Sequence, residues 1–530
     1  MTDVDNSQFD LFIAGGGFYG AAIACWAAKS GLKVALLEKN DFSSGASSNS
    51  LKIVHGGIRY LQTLNLKRTL KSIAERNRMV RLFGHAMTPL QCVMPLKILS
   101  MKNPLTAYAG FKFFSVLSQS KGHTVSPYSQ TTMFRRFNSP VVDYSGFKAF
   151  AQWTDPQARY PERIPVELLC SAEEMGAYIR NYEAVKEVFQ KEDGSIAVES
   201  MREDGSSHQY VTKVFVDCTG GWNFYGKSGD MSTQYVKAVN VVLNKKITDK
   251  ALTLPVDSAN ARLLFMCPWA DKTILGTWYF GLDDEDYGSS VDDVTLRAML
   301  GDVNVYMKTP FSTEDVLDLH VGLLPLSARA PDDHDFGAAL ADETRVIAVG
   351  KDKKIFRVEG IKFTTSIGDA RMALVSILKD ASVFETDFCD SIDKLPCSIS
   401  HIEDFRRQVE RQYSWCSAAV LDRLIGLYGA RCVEVLDMAE SNDLLRVEID
   451  DLPDSLLAEI DYACLHEKAV HLSDVVYRRI GLGGCGLLSV RLIACVAARM
   501  TRVLDKSTDW KNQEIEGLAG RHYVSVKSAV

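Results

Sequence analysis

One short stretch near the N-terminus constrains this chain more than any other. Asp10-Leu-Phe-Ile-Ala14 reads as a strand, Gly15 to Gly20 as a glycine turn, Ala21 to Ser30 as a helix and Lys33 to Glu38 as a second strand, which together make a βαβ opening. Inside the turn, Gly15-x-Gly17-x-x-Gly20 has the spacing of a dinucleotide fingerprint. The first glycine permits the sharp turn, the second lets a pyrophosphate approach the backbone, and the third lets helix and strand pack closely. Phosphate then rests on the helix N-terminus, where free N–H groups and the helix dipole favour negative charge. Glu38 closes the second strand 18 residues after Gly20, where a carboxylate can accept hydrogen bonds from a ribose diol. Both NAD and FAD present an ADP half to such a turn, so the fingerprint alone does not choose between them.

A chain of 530 residues exceeds what one core usually supports, about 250 to 300 residues, and predicts two or three cooperating domains. A net charge of −7 gives no global attraction to nucleic acid, and no nucleic-acid partner is expected. The 12 cysteines form no CxxC pair or Cys/His cluster, which excludes the usual zinc knuckles and dithiol centres; no metal is expected. The N-terminus is polar and acidic and no long apolar run follows. That pattern predicts a cytoplasmic protein with free thiols.

Farther along, Ser43 to Ser50 is a loop of small polar residues. A helix follows in which Leu66, Leu70, Ile73 and Val80 share one face, while Lys67, Arg68, Lys71, Arg76, Arg78 and Arg81 lie elsewhere, as on a solvated face. Residues from about 190 to 217 alternate as short strands around Asp193-Gly194 and end in Val214-Phe-Val-Asp-Cys-Thr-Gly-Gly221, a further strand and glycine turn. Strand-like runs at Tyr235 to Leu243, Ala261 to Met266 and Thr273 to Tyr279 suit an antiparallel sheet over a ligand. Beyond Pro396, candidate helices span Ile402 to Tyr428, Ser455 to His471 and Leu487 to Leu504, with Pro453-Asp454 as a start signal for the second.

Several blocks resemble one family. Asp-Leu-Phe-Ile-Ala-Gly-Gly-Gly-Phe-Tyr-Gly from Asp10 is followed by Leu36-Leu37-Glu38, and then by Ser47-Ser48-Asn-Ser-Leu-Lys52-Ile-Val-His55-Gly56-Gly57-Ile-Arg59-Tyr60-Leu61. Further on come Trp153-Thr-Asp155-x-Gln157 through Arg163, Asp217-Cys-Thr219-Gly220-x-Trp222, Pro268-Trp269 with Gly276-Thr277, Gly360-Ile-Lys362-Phe-Thr364-Thr365, and His466-Glu467 with Asp474 through Arg479. In this order they resemble the FAD-dependent glycerol-3-phosphate dehydrogenases, a branch of the D-amino-acid-oxidase-like flavoproteins, over nearly the whole chain. The resemblance implies FAD rather than NAD, and an α/β plus α architecture: a Rossmann-like FAD-binding domain, an antiparallel-sheet substrate domain and a helical C-terminal domain. The expected segments are 1–100, 191–231 and 341–395 for the FAD-binding domain, 101–190 for an inserted cap, 232–340 for substrate binding and 396–530 for the helical domain.

The chemistry implied is oxidation of a hydroxyl on a small polar, phosphorylated or unphosphorylated polyol-like substrate by hydride transfer to flavin. His55 suits a general base, since imidazole titrates near working pH; the same residue would also serve to hold the Gly56-Gly57 turn. Arg59 offers a bidentate fork for an anionic group of substrate or flavin, and Tyr60 a hydroxyl or an aromatic wall. The resemblance places Lys362 beside the flavin, where a cation stabilises negative charge. Gly15, Gly17, Phe18, Tyr19, Gly20, Glu38, Lys39, Ser47, Ser48, Lys52, His55, Gly56, Gly57, Thr219, Gly220, Trp222, Gly360, Lys362, Phe363 and Thr364 make up the expected cofactor set.

Three positions depart from the family pattern. Thr-Gly-Gly stands for Thr-Gly-Pro, Gly360-Ile361-Lys362 for Gly-Gly-Lys, and Gly322-Leu323-Leu324-Pro325-Leu326 for Gly-x-Arg-Pro-Leu. Leu324 thus replaces an arginine that in the family grips the substrate phosphate. The change implies a substrate with a different or absent phosphate, resting on Leu323 and Leu324, unless Arg329 or Arg345 compensates. Lys97 to Lys112, with Ile98, Leu99, Leu105, Tyr108 and Phe111 among lysines, has the composition of a surface-lying amphipathic element and equally of a helix packed on the core. A peripheral contact with the inner face of a membrane, an oligomer, and a quinone, oxygen or other electron acceptor are all compatible with this reading. Two rival readings share the fold: an FAD-dependent amine or amino-acid oxidase, and a flavin-binding scaffold without catalysis.

Overall fold

The computed structural model describes residues 8–57, 65–96, 110, 112, 114, 124–127, 149–222, 234–255, 263–282, 291–327, 340–341, 343–350, 352–382, 389, 391–482 and 488–527. Two sheets and a helical region organise them. The first sheet contains β1 (Gln8–Ala14), β2 (Val34–Leu37), β6 (Tyr178–Arg180), β7 (Glu183–Gln190), β8 (Ile196–Arg202), β9 (Ser207–Asp217), β15 (Arg345–Val349) and β16 (Ile355–Glu359). Its main path runs β15-β16-β9-β1-β2-β6, parallel from β16 to β6, and β7 and β8 extend from β9 as an antiparallel meander. Leu11, Phe12 and Ile13 are all buried because both faces of this sheet are covered, which is why β1 reads as an unbroken apolar run. On one face pack α1 (Phe18–Lys29), α3 (Arg163–Glu174) and α5 (Ser366–Ala381). The buried Trp26 indole donates to the Ile367 carbonyl at 2.9 Å and so joins α1 to α5.

The second sheet contains β3 (Met87–Leu96), β4 (Thr124–Pro127), β5 (Ala149–Ala158), β10 (Tyr235–Leu243), β11 (Ala251–Pro255), β12 (Leu263–Trp269), β13 (Lys272–Gly281) and β14 (Val316–Pro325). Its order is β14-β10-β13-β12-β11-β3-β5-β4, antiparallel except for the β11–β3 pair. The helix α4 (Asp293–Asn304) covers its apolar face through Leu296, Met299, Leu300 and Val303. Segment boundaries expected at 100 and 190 do not match the sheets. β3 precedes residue 100 yet lies in the second sheet, whereas α3 and β6, expected in the insertion, belong to the first.

The helix α2 (Leu66–Phe83) forms where periodicity predicts it, but its buried face is a different one. Leu66, Leu70 and Val80 are exposed, while Thr69, Ser72, Ile73, Glu75, Arg76 and Met79 are buried. The reason is electrostatic: Arg76 approaches Asp155 at 3.6 Å and Arg78 pairs with Glu75 at 2.6 Å, so charged groups enter the interior with partners. The Lys97 to Lys112 run falls outside the described residues except for Gly110 and Lys112. Among the described residues no helix is long and apolar enough to cross a membrane.

The C-terminal region is helical: α6 (Ile402–Gln412), α7 (Ala418–Tyr428), α8 (Cys432–Ser441), α9 (Ala458–Leu465), α10 (Val490–Val503) and α11 (Thr508–Lys527). The single helix expected over Ile402 to Tyr428 is two, because Ser417 caps a new N-terminus by accepting from the Val420 amide. Likewise Asp454 adopts a left-handed φ of 62°, so the second expected helix begins only at Ala458 and ends at Leu465. Its lost C-terminal part is a loop leading to a short helical turn, Leu472–Asp474, and a π-helical stretch, Val475–Arg479.

This π-helical stretch delivers two arginines to the first sheet. Both Arg479 Nη atoms donate to the Asp41 carboxylate at 2.8 and 2.9 Å, and Arg478 pairs with Asp41 and with Asp474. From α3, Arg163 reaches Glu467 through two bonds of 2.6 Å. A clasp nearer the surface joins His471 to Glu514 of α11 at 2.7 Å and to Glu203, in the β8–β9 turn, at 2.9 Å.

Two outcomes follow from these pairs. Glu467→Ala strands the buried Arg163 guanidinium and should destabilise the protein by about 3 to 5 kcal/mol, read from thermal unfolding. His471 is raised to about 9, chiefly by its bond to Glu514 against the opposing effect of burial, with Glu203 and Asp474 adding to the rise. A base raised on folding stabilises fully below its unfolded value near 6.5 and loses that contribution as pH rises through about 9. Parent and His471→Gln should therefore differ in stability by about 1 to 3 kcal/mol at pH 6, and converge near pH 10; equal stability at pH 6 would refute this.

Candidate active site

The glycine turn does what its spacing predicts. Gly15 has φ +105°, and a Cβ there would lie 2.7 Å from the Cys218 carbonyl oxygen of the neighbouring strand end. A Cβ on Gly20 would come within 1.9 Å of the Gly15 carbonyl, so this glycine is fixed by helix-to-strand packing. Gly17 differs: a Cβ would meet only the Ser47 hydroxyl, at 3.0 Å. That hydroxyl accepts from the Phe18 amide at 3.1 Å and stands at the N-terminus of α1. Glu38 directly follows β2, with one carboxylate oxygen accepting from the Gly16 amide at 2.7 Å and the other from the Asn40 amide at 2.9 Å. A carboxylate has about four acceptor positions, so capacity for a diol remains.

From this turn a cavity of about 1050 Å³ opens between the two sheets, at the upper end of ligand sites, roughly 300–1000 Å³. Its nucleotide end is lined by Gly15, Gly17, Glu38, Lys39 and Thr219, and by Val185 and Lys186 of β7. At its other end lie His55, Gly57, Ile361, Lys362, Phe363 and Thr364, beneath Phe265, Tyr279 and Leu324 of the second sheet. Between the ends, the loop Ser43 to Ser50 is pinned to that sheet. Asn49 donates to the Val321 carbonyl at 2.7 Å, and Asn240 to the Asn49 carbonyl at 2.9 Å.

The turn bearing His55 is held from β5. Asp155 accepts from the Gly56 amide at 3.1 Å and from the Trp153 indole at 3.0 Å. A Cβ on Gly56 would lie 2.7 Å from an Arg76 guanidinium nitrogen, so the bare backbone admits the arginine that faces Asp155. Backbone bonds from Val54 to Pro156 and from Ala158 to Lys52 continue this pairing. Lys362 follows β16 and precedes α5, whose start is anchored by Thr365 donating to Asp369 at 2.6 Å. Phe18 and Phe363 meet edge-to-face at 4.7 Å.

Most of the residues singled out in the sequence meet at this cavity: Gly15, Gly17, Phe18, Tyr19, Glu38, Lys39, Ser47, Lys52, His55, Gly57, Thr219, Gly220, Leu324, Gly360, Lys362, Phe363 and Thr364. Some stand behind it. Ser48 donates to the Ser43 carbonyl and shapes the loop. Gly20 and Gly56 pack away from the cavity, for the reasons given. Tyr19 lines the wall, but its ring lies against Gly360 and its hydroxyl shares a 3.0 Å bond with Thr344, so it holds the two turns together. The Lys52 ammonium faces the Trp269 ring at 4.1 Å and the Ser48 carbonyl at 3.1 Å. Trp222 ends a short 3₁₀ turn, Gly220–Trp222. Arg59, Tyr60 and Arg329 lie outside the described residues. Arg345 is not part of the cavity; it pairs with Glu359.

Sequence reasoning missed Ser43, Val185, Lys186, Asp155 and Arg68 as wall or support. Asp155 was visible only within a family motif, and Arg68 was placed on a solvated face.

Two buried hydroxyls test whether a flavin dinucleotide suits this cavity. The side chains of Ser43, near the glycine turn, and Thr364, beside Lys362, both line it, and neither hydroxyl has a hydrogen-bond partner among the described residues. Buried polar atoms in native proteins are nearly always paired. A ligand reaching from the nucleotide turn to the Lys362 loop would pair both, and FAD has polar groups along that whole length.

Comparison with known proteins agrees. Residues 10–368 match the FAD dependent oxidoreductase family, and residues 397–515 the C-terminal domain of alpha-glycerophosphate oxidase. A glycerol-3-phosphate dehydrogenase of Synechocystis sp. is 26% identical over 512 residues, covering 91% of this chain and 90% of its own. The D-erythritol 1-phosphate dehydrogenase of Brucella abortus is 26% identical over 489 residues, covering 89% and 93%. The structure of the glycerol-3-phosphate dehydrogenase from Bacillus halodurans complexed with FAD shares the fold at a TM-score of 0.76 and 20% identity, over 100% of this chain and 97% of that one. The chain belongs to the FAD-dependent oxidoreductases, on the glycerol-3-phosphate dehydrogenase plan with its helical C-terminal domain.

Proposed function

We propose that this protein oxidises a secondary alcohol of a small polyol carrying an anionic group, with His55 as the base and Lys362 as the cation beside the flavin. The observation that supports the reading is one continuous cavity that joins the nucleotide turn to His55, Lys362 and Thr364 under an antiparallel sheet. The relatives named for glycerol 3-phosphate and D-erythritol 1-phosphate support the same substrate class.

When bound, FAD supplies the acceptor for the hydrogen on the alcohol carbon. The chain supplies the rest. The Asp155 bond to the Gly56 amide fixes the turn that carries His55, so the imidazole is presented to the cavity by backbone rather than by a mobile side chain. One imidazole nitrogen takes the hydroxyl proton as the C–H bond breaks. Lys362 holds positive charge where negative charge accumulates, in a pocket whose apolar roof residues Phe265 and Leu324 strengthen the attraction. Arg59 and Tyr60 complete the substrate end in this proposal. Electrons pass on to a quinone, to oxygen or to another acceptor, and a peripheral membrane contact belongs to the same proposal.

His55→Ala should slow flavin reduction by roughly 10² to 10⁴, the range for general acid–base help, while the protein stays yellow. Anaerobic stopped-flow bleaching with polyol phosphates reads this, and a parental rate would remove His55 from the mechanism. The glycines separate binding from folding. Gly17→Val should give a folded, colourless protein, because its side chain meets only Ser47 and the phosphate position, whereas Gly20→Ala should fail to accumulate folded, since its Cβ meets backbone at 1.9 Å. A yellow Gly17→Val protein would contradict the assignment.

A further inference from the structure

The charges around the cavity are unevenly placed. Five of the described lining residues are cationic: Lys39, Lys52, Arg68, Lys186 and Lys362. Lys39 and Lys186 flank the nucleotide end. Lys52 directs its ammonium at Trp269 and Ser48. At the substrate end this leaves Lys362, placed beside the flavin, and Arg68, which no motif singled out. The opposite roof offers Leu323 and Leu324 of β14, Ala238 of β10, Phe265 of β12 and Leu340. These are apolar; the roof's polar groups are Asn240 and Thr277, joined by a 2.8 Å bond, and the phenol of Tyr279.

Arg68 is held in place by the helix that bears it. Asn65 caps α2 by accepting from the Arg68 amide at 3.1 Å. One turn on, Lys71 pairs with Asp369 at 2.6 Å, and Asp369 also anchors the start of α5 through Thr365. Two turns on, Arg76 faces Asp155 at 3.6 Å. The face carrying residues 68, 71 and 75 therefore lies along the start of α5, and Arg68 emerges on the side of the Ile361 to Thr364 loop. The helix on which Leu66, Leu70 and Val80 proved exposed is the one that brings this guanidinium to the cavity.

Resting on the function proposed above, we infer that Arg68 selects an oxyanion-bearing substrate: its guanidinium grips a phosphate ester or a carboxylate from the α2 side while the carbon chain lies against Leu323, Leu324 and Phe265. A guanidinium has five N–H donors in a fork that matches an oxyanion bidentately, so it serves a substrate while keeping contacts within the chain. The apolar part of the roof strengthens this attraction, and a neutral polyol forms no charge-assisted pair with the guanidinium.

The test compares parent, Arg68→Gln and Arg68→Lys as FAD-loaded enzymes whose flavin spectra and melting points show that they fold. Steady-state kinetics use three substrates of equal carbon count: a polyol phosphate, a sugar acid and a neutral polyol. Arg68→Gln should lose roughly 10- to 150-fold in kcat/KM on the oxyanion substrate, the span for a hydrogen bond to a charged group, mainly through KM. The neutral polyol should be unaffected, and Arg68→Lys should recover part of the loss. Whichever anionic class loses more names the oxyanion. A second readout needs no turnover: inorganic phosphate titrated into the oxidised enzymes should shift the flavin absorbance with a Kd raised by the same factor in Arg68→Gln. Unchanged discrimination and unchanged phosphate affinity would overturn the inference. If no polyol of any charge bleaches the parent flavin, the proposed function fails, and the phosphate titration still decides the role of Arg68.

Discussion

The buried carboxylate of Asp41 is the constraint on which much else depends. It lies three residues beyond Glu38, in the stretch that leaves the nucleotide-binding strand, and it is held by Arg478 and Arg479 from the far end of the chain. Burial pushes its carboxyl up, yet Arg479 and Arg478 bring it down to about 2. Charges taken out of water this completely are tolerable only when geometry and hydrogen bonding are nearly complete. Asn181 also donates to Asp41, and Glu467, the partner of Arg163, accepts from Arg479 through its backbone carbonyl. The helical region is thus more than an appendage, since its guanidiniums neutralise a charge beside the cofactor site.

A second consequence concerns how the cavity is divided between the sheets. The first sheet supplies the glycine turn and Glu38 at the ends of parallel strands, where a doubly wound sheet carries its ligand site. The second supplies a roof from strands on both sides of the chain's midpoint, β3 and β5 before it and β10, β12, β13 and β14 around or after it. The His55 turn runs between them, bonded to β5, and so its position relative to the flavin is set by both sheets. The roof residues and α2 therefore line one part of the cavity, and the turns of the first sheet the other.

How much of this was legible in the sequence depends on the kind of signal. The βαβ opening was readable because Gly15 and Gly20 answer to local backbone demands, and the run Tyr235 to Leu243 because its apolar content matches a strand buried throughout. The orientation of α2 was not readable. Periodicity assumes that apolar residues face inward, and Arg76 and Glu75 break that assumption by pairing with Asp155 and Arg78. For the same reason Arg68 was invisible as a wall of the site. Ser48 and Tyr19 carried the right composition for cofactor contact but spend their hydroxyls on Ser43 and Thr344, and only coordinates separate such second partners. The helix break at Ser417 was marked only by a serine cap, a signal too small to outweigh a long apolar pattern, and the Pro453-Asp454 start signal stood a few residues ahead of the helix, which begins at Ala458.

The sequence separation of the Asp41 pair bears on how the protein is made. Arg479 follows Asp41 by 438 residues, so the strand and glycine turn leave the ribosome well before the guanidinium that neutralises the adjoining loop. At ~5–20 residues per second this interval lasts about 20 to 90 s. Until then the Asp41 carboxylate must remain hydrated and the loop beside it open to water.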